Sequence, residues 1–361
     1  MPRDGDSLKG NAENILSDLV LMKSTSDDDQ KPIVDYVSQY LRRLGLRPRY
    51  LGDAAHPAIL TQHRTGGVML SGHLDTVPHG DGWTREDGDV EGGVIYGRGA
   101  CDMKGGCTAM LMAAEALVAG NVPFSVCFTT DEETTMHGAA AAARSKIVEK
   151  AAAVVVAEPS NFNIVIKEKG LLQFSLSTTG RAAHASMPEL GDNAIAKMTS
   201  VLHRFKELQR VPDDTLKRMT LSVNTIKGGT RINVIPSACS AEIDVRYPPP
   251  MTAESVLGLV RNKIGSRGYQ LSVLHQLDPV ETNPKSRAVK KLQAIIGPTA
   301  KLETVPYATE IVMFRRGNPR VMVCGPGDPK GCHIADEKVD LSSVVRAAEL
   351  YTEYCSRMSG A

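Results

Sequence analysis

Ser71-Gly-His-Leu-Asp-Thr-Val-Pro78 and, downstream, Gly97-Arg-Gly-Ala-Cys-Asp-Met-Lys-Gly-Gly106 organise the reading of this chain. They set His73, Asp75 and Asp102 in glycine-flanked turns shortly after apolar runs. Three further segments offer carboxylates or imidazole in the same manner: Thr130-Asp-Glu-Glu133, Ala157-Glu-Pro159 and Cys332-His-Ile-Ala-Asp-Glu337. Nitrogen and carboxylate donors placed where strands end are what a pair of divalent metal ions needs.

Around these stretches, short apolar runs at 57–61, 67–71, 124–129 and 152–157 predict strands. Helical spacing of apolar residues predicts helices at 8–23, 30–45, 104–119 and 139–148, with Gly45 stopping the second. Strand alternating with helix implies an α/β sheet, whose ligands gather beyond the carboxyl ends of its strands. Near residue 168 the pattern changes. Residues 171–179 alternate apolar with polar, and strands fit 219–227, 238–246 and 269–275, with helices at 192–209 and 252–265. That β-α-β-β-α-β order describes a small split-βαβ domain. A helix at 285–296, a strand at 320–324 and a helix at 341–357 then resume the first pattern. The expected organisation is a catalytic domain, 1–167 and 280–361, with a domain inserted at 168–279.

The 361 residues suit two domains, and 42% hydrophobic with 23% charged residues is an ordinary globular balance. A formal net charge of +1 and 4% aromatic residues give no footing for nucleic acid or an anionic membrane surface. No apolar run is long enough to predict a membrane span, and Met1-Pro-Arg-Asp-Gly-Asp has no signal-like apolar core. Seven Cys, an odd number without a CxxC pair, fit reduced thiols, so a cytoplasmic location is expected.

Taken together, the five separated segments resemble the M20 family of di-zinc amidohydrolases, which includes acetylornithine deacetylase, succinyl-diaminopimelate desuccinylase and carboxypeptidase G. The resemblance covers nearly the whole chain. It implies a di-zinc exopeptidase-like catalytic domain with a mixed sheet, an inserted ferredoxin-like α+β lid and dimerisation domain, and a homodimer. It also implies two Zn²⁺ or Co²⁺ per subunit and hydrolysis of the amide bond of a small-molecule N-acyl amino acid.

Residue by residue, the resemblance places His73 and Glu158 on one metal, Glu133 and His333 on the other, and Asp102 between them. A neutral imidazole is a good zinc ligand, and Asp75, two residues on, is positioned to hold it by its other nitrogen. An isolated His-x-Asp also simply caps turns. Asp102 alone would read as a helix N-cap. Asp-Glu-Glu usually marks a solvated turn, and a lone late His is more often structural. The resemblance makes Glu132 the general base, which needs a free carboxylate beside the metals. Cys101 and Cys332 read as small packed residues rather than ligands.

His184, in Gly180-Arg-Ala-Ala-His-Ala-Ser186, matches the family's oxyanion donor supplied by the partner subunit; otherwise it is an exposed loop histidine. Asn233 and Arg246 match positions that hold a substrate carboxylate, for which the Arg fork is suited. A surface ion pair is the other reading of Arg246. Thr309-Glu310 is similar to the Thr-Glu segment of acetylornithine deacetylases, and Glu310 is expected either to face a substrate ammonium or to be a buried acid. N-acetylornithine is therefore the leading substrate; N-acyl-lysine, succinyl-diaminopimelate and dipeptides stay open. A non-catalytic metal- or ligand-binding protein on the same scaffold is the alternative of a different class.

Overall fold

A computed structural model describes residues 5–208, 216–265 and 267–360. The chain divides into two compact units: Met1–Ile166 with Thr282–Glu303 and Thr309–Ala361, and Lys167–Glu281 with Thr304–Ala308.

The first unit is built on a mixed sheet. Seven of the sheet's nine strands lie in the order Arg49–Gly52, Pro57–His63, Phe124–Thr129, Val68–His73, Ala153–Val156, Val321–Val323 and Ile164–Glu168. The four strands from Phe124–Thr129 to Val321–Val323 run parallel, and the flanking pairs are antiparallel. Every residue of those four strands is buried. That explains their continuous apolar sequences, since a parallel strand is covered on both faces. Each such Val, Leu, Met or Phe contributes on the order of 1.5–3 kcal/mol by burial. Helix Gly105–Ala119 packs against Leu341–Ser359 and Gly5–Leu21, while His137–Ala143 covers Arg49–Gly52 and Pro57–His63.

The helix expected at 139–148 is two helices, His137–Ala143 and Lys146–Lys150. Ser145 divides them because its hydroxyl accepts the Val148 amide at 3.3 Å and caps the second. A three-stranded sheet of Val90–Glu91, Val94–Tyr96 and Lys338–Asp340 was not foreseen from the pattern. These strands have two or three residues each, too few to show a period.

The second unit holds a four-stranded antiparallel sheet in the order Thr220–Gly228, Ala238–Tyr247, Gly170–Thr179, Gln270–Leu277. Helices Ala194–His203 and Ala253–Ile264 pack on it around Phe174, Val245 and Tyr247. The helix read at 192–209 ends in a 3₁₀ turn at Arg204–Glu207, and its last position, 209, lies outside the described residues. Segment 304–308 groups with this unit, where the Lys169 amide donates to the Val305 carbonyl at 3.2 Å. The seven cysteines are free thiols. Among the described residues, no helix is long and apolar enough to cross a membrane.

Candidate metal centre

Register brings the polar groups together. His73, the last residue of its strand, pairs with Thr129, so Glu132 and Glu133 leave the neighbouring strand just beyond it. On the other side Ser71 pairs with Val156, two residues before Glu158. Val323, also paired with Val156, leads into the loop that carries His333. Four adjacent parallel strands thus release their loops at one end of the sheet.

Asp102 arrives from a turn inside the π-helical segment Ala100–Lys104, with φ −117° and ψ 97°. Gly99, at φ +82°, makes that turn possible; a Cβ there would stand 2.6 Å from the Thr76 methyl. The helix that follows is capped at Lys104, so Asp102 is not its N-cap.

One Asp102 oxygen lies 3.2 Å from His73 Nε2, and the other 3.3 Å from His333 Nε2. Glu158 approaches His73 Nε2 at 3.3 Å, and Glu133 approaches His333 Nε2 at 2.9 Å. Two triads result, His73–Asp102–Glu158 and Asp102–Glu133–His333, each with its donor atoms within 4.8 Å of one another. They share Asp102. Glu132 groups with His73 and Glu133 in a third set, so its carboxylate lies beside both triads. Cys101 and Cys332 belong to none of these sets; their sulfurs stand 3.9 Å apart.

Asp75 holds this arrangement from behind. Its carbonyl meets His73 Nδ1 at 2.9 Å, and its carboxylate accepts the amides of Glu132 and Glu133 at 3.2 and 3.0 Å. Asp131 was missed in the sequence. Its carboxylate accepts the Thr135 hydroxyl and the Gly138 amide, closing the turn that presents Glu132 and Glu133. Nothing in Asp-Glu-Glu tells a turn-forming acid from its neighbours.

Four carboxylates face two imidazoles, and their electrostatics call for cations. Burial, then Asp102, pushes the Glu158 carboxyl up to about 8. Burial raises Glu132 well above the carboxylate range, with Glu158, Glu133 and Asp102 adding to the shift against His73. Burial opposes protonation of His73, but Glu158 and Asp102 outweigh it and raise its pKa well above the usual value. His333 is raised to about 10 by hydrogen bonds to Asp102 and Glu133. Asp102 is held well below the usual range: burial opposes this, and His333 and His73 overcome it. Protons are retained where divalent ions would balance the charge, and the N/O donor set suits such ions.

A model of peptidase family M20/M25/M40 matches residues 69–357. The chain belongs to this family. As a family M20 protein it is a metal-dependent hydrolase, and the two triads that could hold metal ions lie within the matched span. It is 28% identical over 343 residues to the acetylornithine deacetylase of Photorhabdus laumondii, covering 88% of each chain. It resembles a tripeptidase from Staphylococcus aureus with TM-score 0.80 at 18% identity, over 98% of this chain and 99% of that one. It also resembles a dinuclear metal binding M20 peptidase of Bacillus subtilis, with TM-score 0.72 at 14% identity, over 98% and 99%.

The remaining expected residues fall in two places. Glu310, in the first unit, is fully buried and accepts the Ser71 hydroxyl at 3.4 Å. Burial pushes its carboxyl up to about 7. Full burial and the bond from Ser71, in the strand of His73, fit the second of its two readings, a buried hydrogen-bonded acid.

His184, Asn233 and Arg246 lie in the second unit. His184 is exposed, with Nδ1 2.7 Å from the Ser186 hydroxyl. It sits beside exposed Asn233: His184 bridges Val234, and the Ala185 amide donates to the Asn233 carbonyl at 3.0 Å. Arg246 is tied to Asp244 at 2.9 Å, the ion pair weighed for it from the sequence.

Proposed function

We propose that this family M20 protein removes the acyl group from an N-acyl amino acid, with N-acetylornithine or a near relative as substrate. The observation that carries the proposal is Asp102, with one oxygen on each imidazole beside a Glu132 that belongs to neither triad. The likeness to an acetylornithine deacetylase supports the substrate. His73, Asp102 and Glu158 would hold one divalent ion, zinc or cobalt, and Asp102, Glu133 and His333 a second; such ions would polarise the scissile carbonyl and lower the pKa of a water molecule.

The chain's own residues do the rest. Glu132 takes a proton from that water as the water oxygen adds to the amide carbonyl carbon, and passes the proton to the leaving nitrogen as the C–N bond breaks. A carboxylate and a free amine result. Asp75 keeps His73 oriented and, through two amides, keeps Glu132 in place. Asn233 and Arg246 hold the substrate's carboxylate, Arg246 exchanging Asp244 for it.

The second unit serves as lid and dimerisation domain, the two outer strands of its sheet, edge strands among the described residues, offering a pairing surface to a second copy. In such a pair His184 would be supplied to the partner subunit's site, where it would donate a hydrogen bond to the carbonyl oxygen that gains charge. His184→Ala is expected to lower kcat about 10²–10³-fold. Mixing it with Glu132→Ala under subunit exchange, verified by mass, should restore turnover through composite sites. Exchange without recovered activity would exclude action in trans.

Substrate choice is tested by amine release from N-acetylornithine, N-acetyl-lysine, N-succinyl-diaminopimelate and several dipeptides, each with zinc or cobalt. N-acetylornithine should give the highest kcat/KM. Faster turnover of dipeptides would replace the deacetylase reading by a dipeptidase one.

A further inference from the structure

We infer that Glu337, held by Arg98, is the positioning residue for the carboxylate shared by the two metal sites. This rests on the ligand assignment of Asp102 and His333 proposed above. Glu337 and Arg98 are 1% and 4% exposed. One Glu337 carboxylate oxygen accepts the amides of Cys101 and Asp102 at 3.0 and 2.9 Å. Arg98 donates to the other oxygen and to the His79 carbonyl. The Glu337 main chain grips the same turn, its carbonyl accepting the Gly97 amide at 2.8 Å. Lys338 then pairs with Tyr96 in the small sheet.

The geometry gives this contact a specific task. Asp102 has non-helical φ/ψ, and its amide is taken up by the Glu337 side chain. An ionised acceptor makes such bonds short and strong. Asp102 turns one oxygen to His73 and the other to His333, so any rotation of its backbone would disturb both triads together. Glu337 stands four residues after His333, the histidine that meets the second Asp102 oxygen at 3.3 Å. One residue therefore sets the bridging carboxylate relative to a ligand from the far end of the chain. Stability alone does not account for the pair, because a buried ion pair is often no more stabilising than an apolar pair of similar volume.

The test measures metal binding, by calorimetric titration of the metal-stripped protein with Co²⁺ and by the cobalt absorption spectrum. Removing one charge alone would strand the other, so double variants are compared. Arg98→Met with Glu337→Gln keeps an oxygen for the two amides; Arg98→Met with Glu337→Leu does not. The first should bind cobalt close to wild type. The second should bind about 10–100-fold more weakly, with an altered spectrum, the range expected when groups supporting metal ligands are lost. Equal affinities and spectra in the two would overturn the inference.

Glu337→Asp covers the case in which the Leu variant does not fold. It keeps the charge for Arg98 and withdraws the carboxylate by one methylene. Weakened cobalt binding with an unchanged melting temperature of the metal-stripped form is expected; unchanged binding would overturn the inference. Wild-type protein taking up fewer than two ions per chain would instead defeat the ligand assignment, which separates the two failures.

Discussion

Glu132→Gln should leave both metal ions bound and substrate affinity little changed, while kcat falls about 10²–10⁴-fold, the contribution of a general base. The carboxylate lies beside the two triads without belonging to either, so losing its charge removes a proton acceptor rather than a ligand. Gln keeps the volume and leaves the turn intact, because that turn is held by backbone amides on Asp75 and by Asp131. Glu133→Gln makes the contrast. Glu133 is 2.9 Å from His333 Nε2 within a triad, so its loss should cost a metal ion. Near-normal kcat in Glu132→Gln at full metal content would move water activation to another group.

Prolonged chelation should abolish turnover, and zinc or cobalt should restore it. Turnover by protein shown to be free of divalent metal would remove the basis of the mechanism. The return of metal carries a pH signature. In the metal-free cluster the His73 pKa is raised well above its ordinary value, His333 stands at about 10 and Glu158 at about 8, so all three hold protons at pH 7. Ligation needs imidazole neutral and carboxylate ionised. Metal binding at pH 7 should therefore release protons, and affinity should rise with pH until those groups have titrated. Calorimetry in buffers of different ionisation enthalpy counts the protons. A pH-independent affinity between about 6 and about 8 would contradict this charge arrangement.

Elements legible in the sequence were those whose burial is complete and local. Phe124–Thr129 is buried at every position, and its apolar run marks it from end to end. Helix Leu341–Ser359 carries a repeated apolar stripe and was read within two residues of its limits. The sequence does not mark Ile164–Glu168, which is short, abuts Gly170–Thr179 and becomes a strand by pairing with the distant segments Val280–Glu281 and Val321–Val323. The single helix expected across 139–148 failed at Ser145, where a hydroxyl cap outweighed continuing helical propensity.

Residue types and the apolar runs they follow mark out the candidate donor side chains, because burial imprints a period on neighbouring residues. Family resemblance then suggested their roles. Long-range packing alone turns one Asp102 oxygen to His73 and the other to His333, and buries Glu310 fully. It alone decided that Glu337 reaches the Cys101 amide across 236 positions of chain. Such contacts depend on which strands lie side by side and on where their loops emerge. A local pattern records how deeply a residue is buried, but not the distant segment that it is buried against.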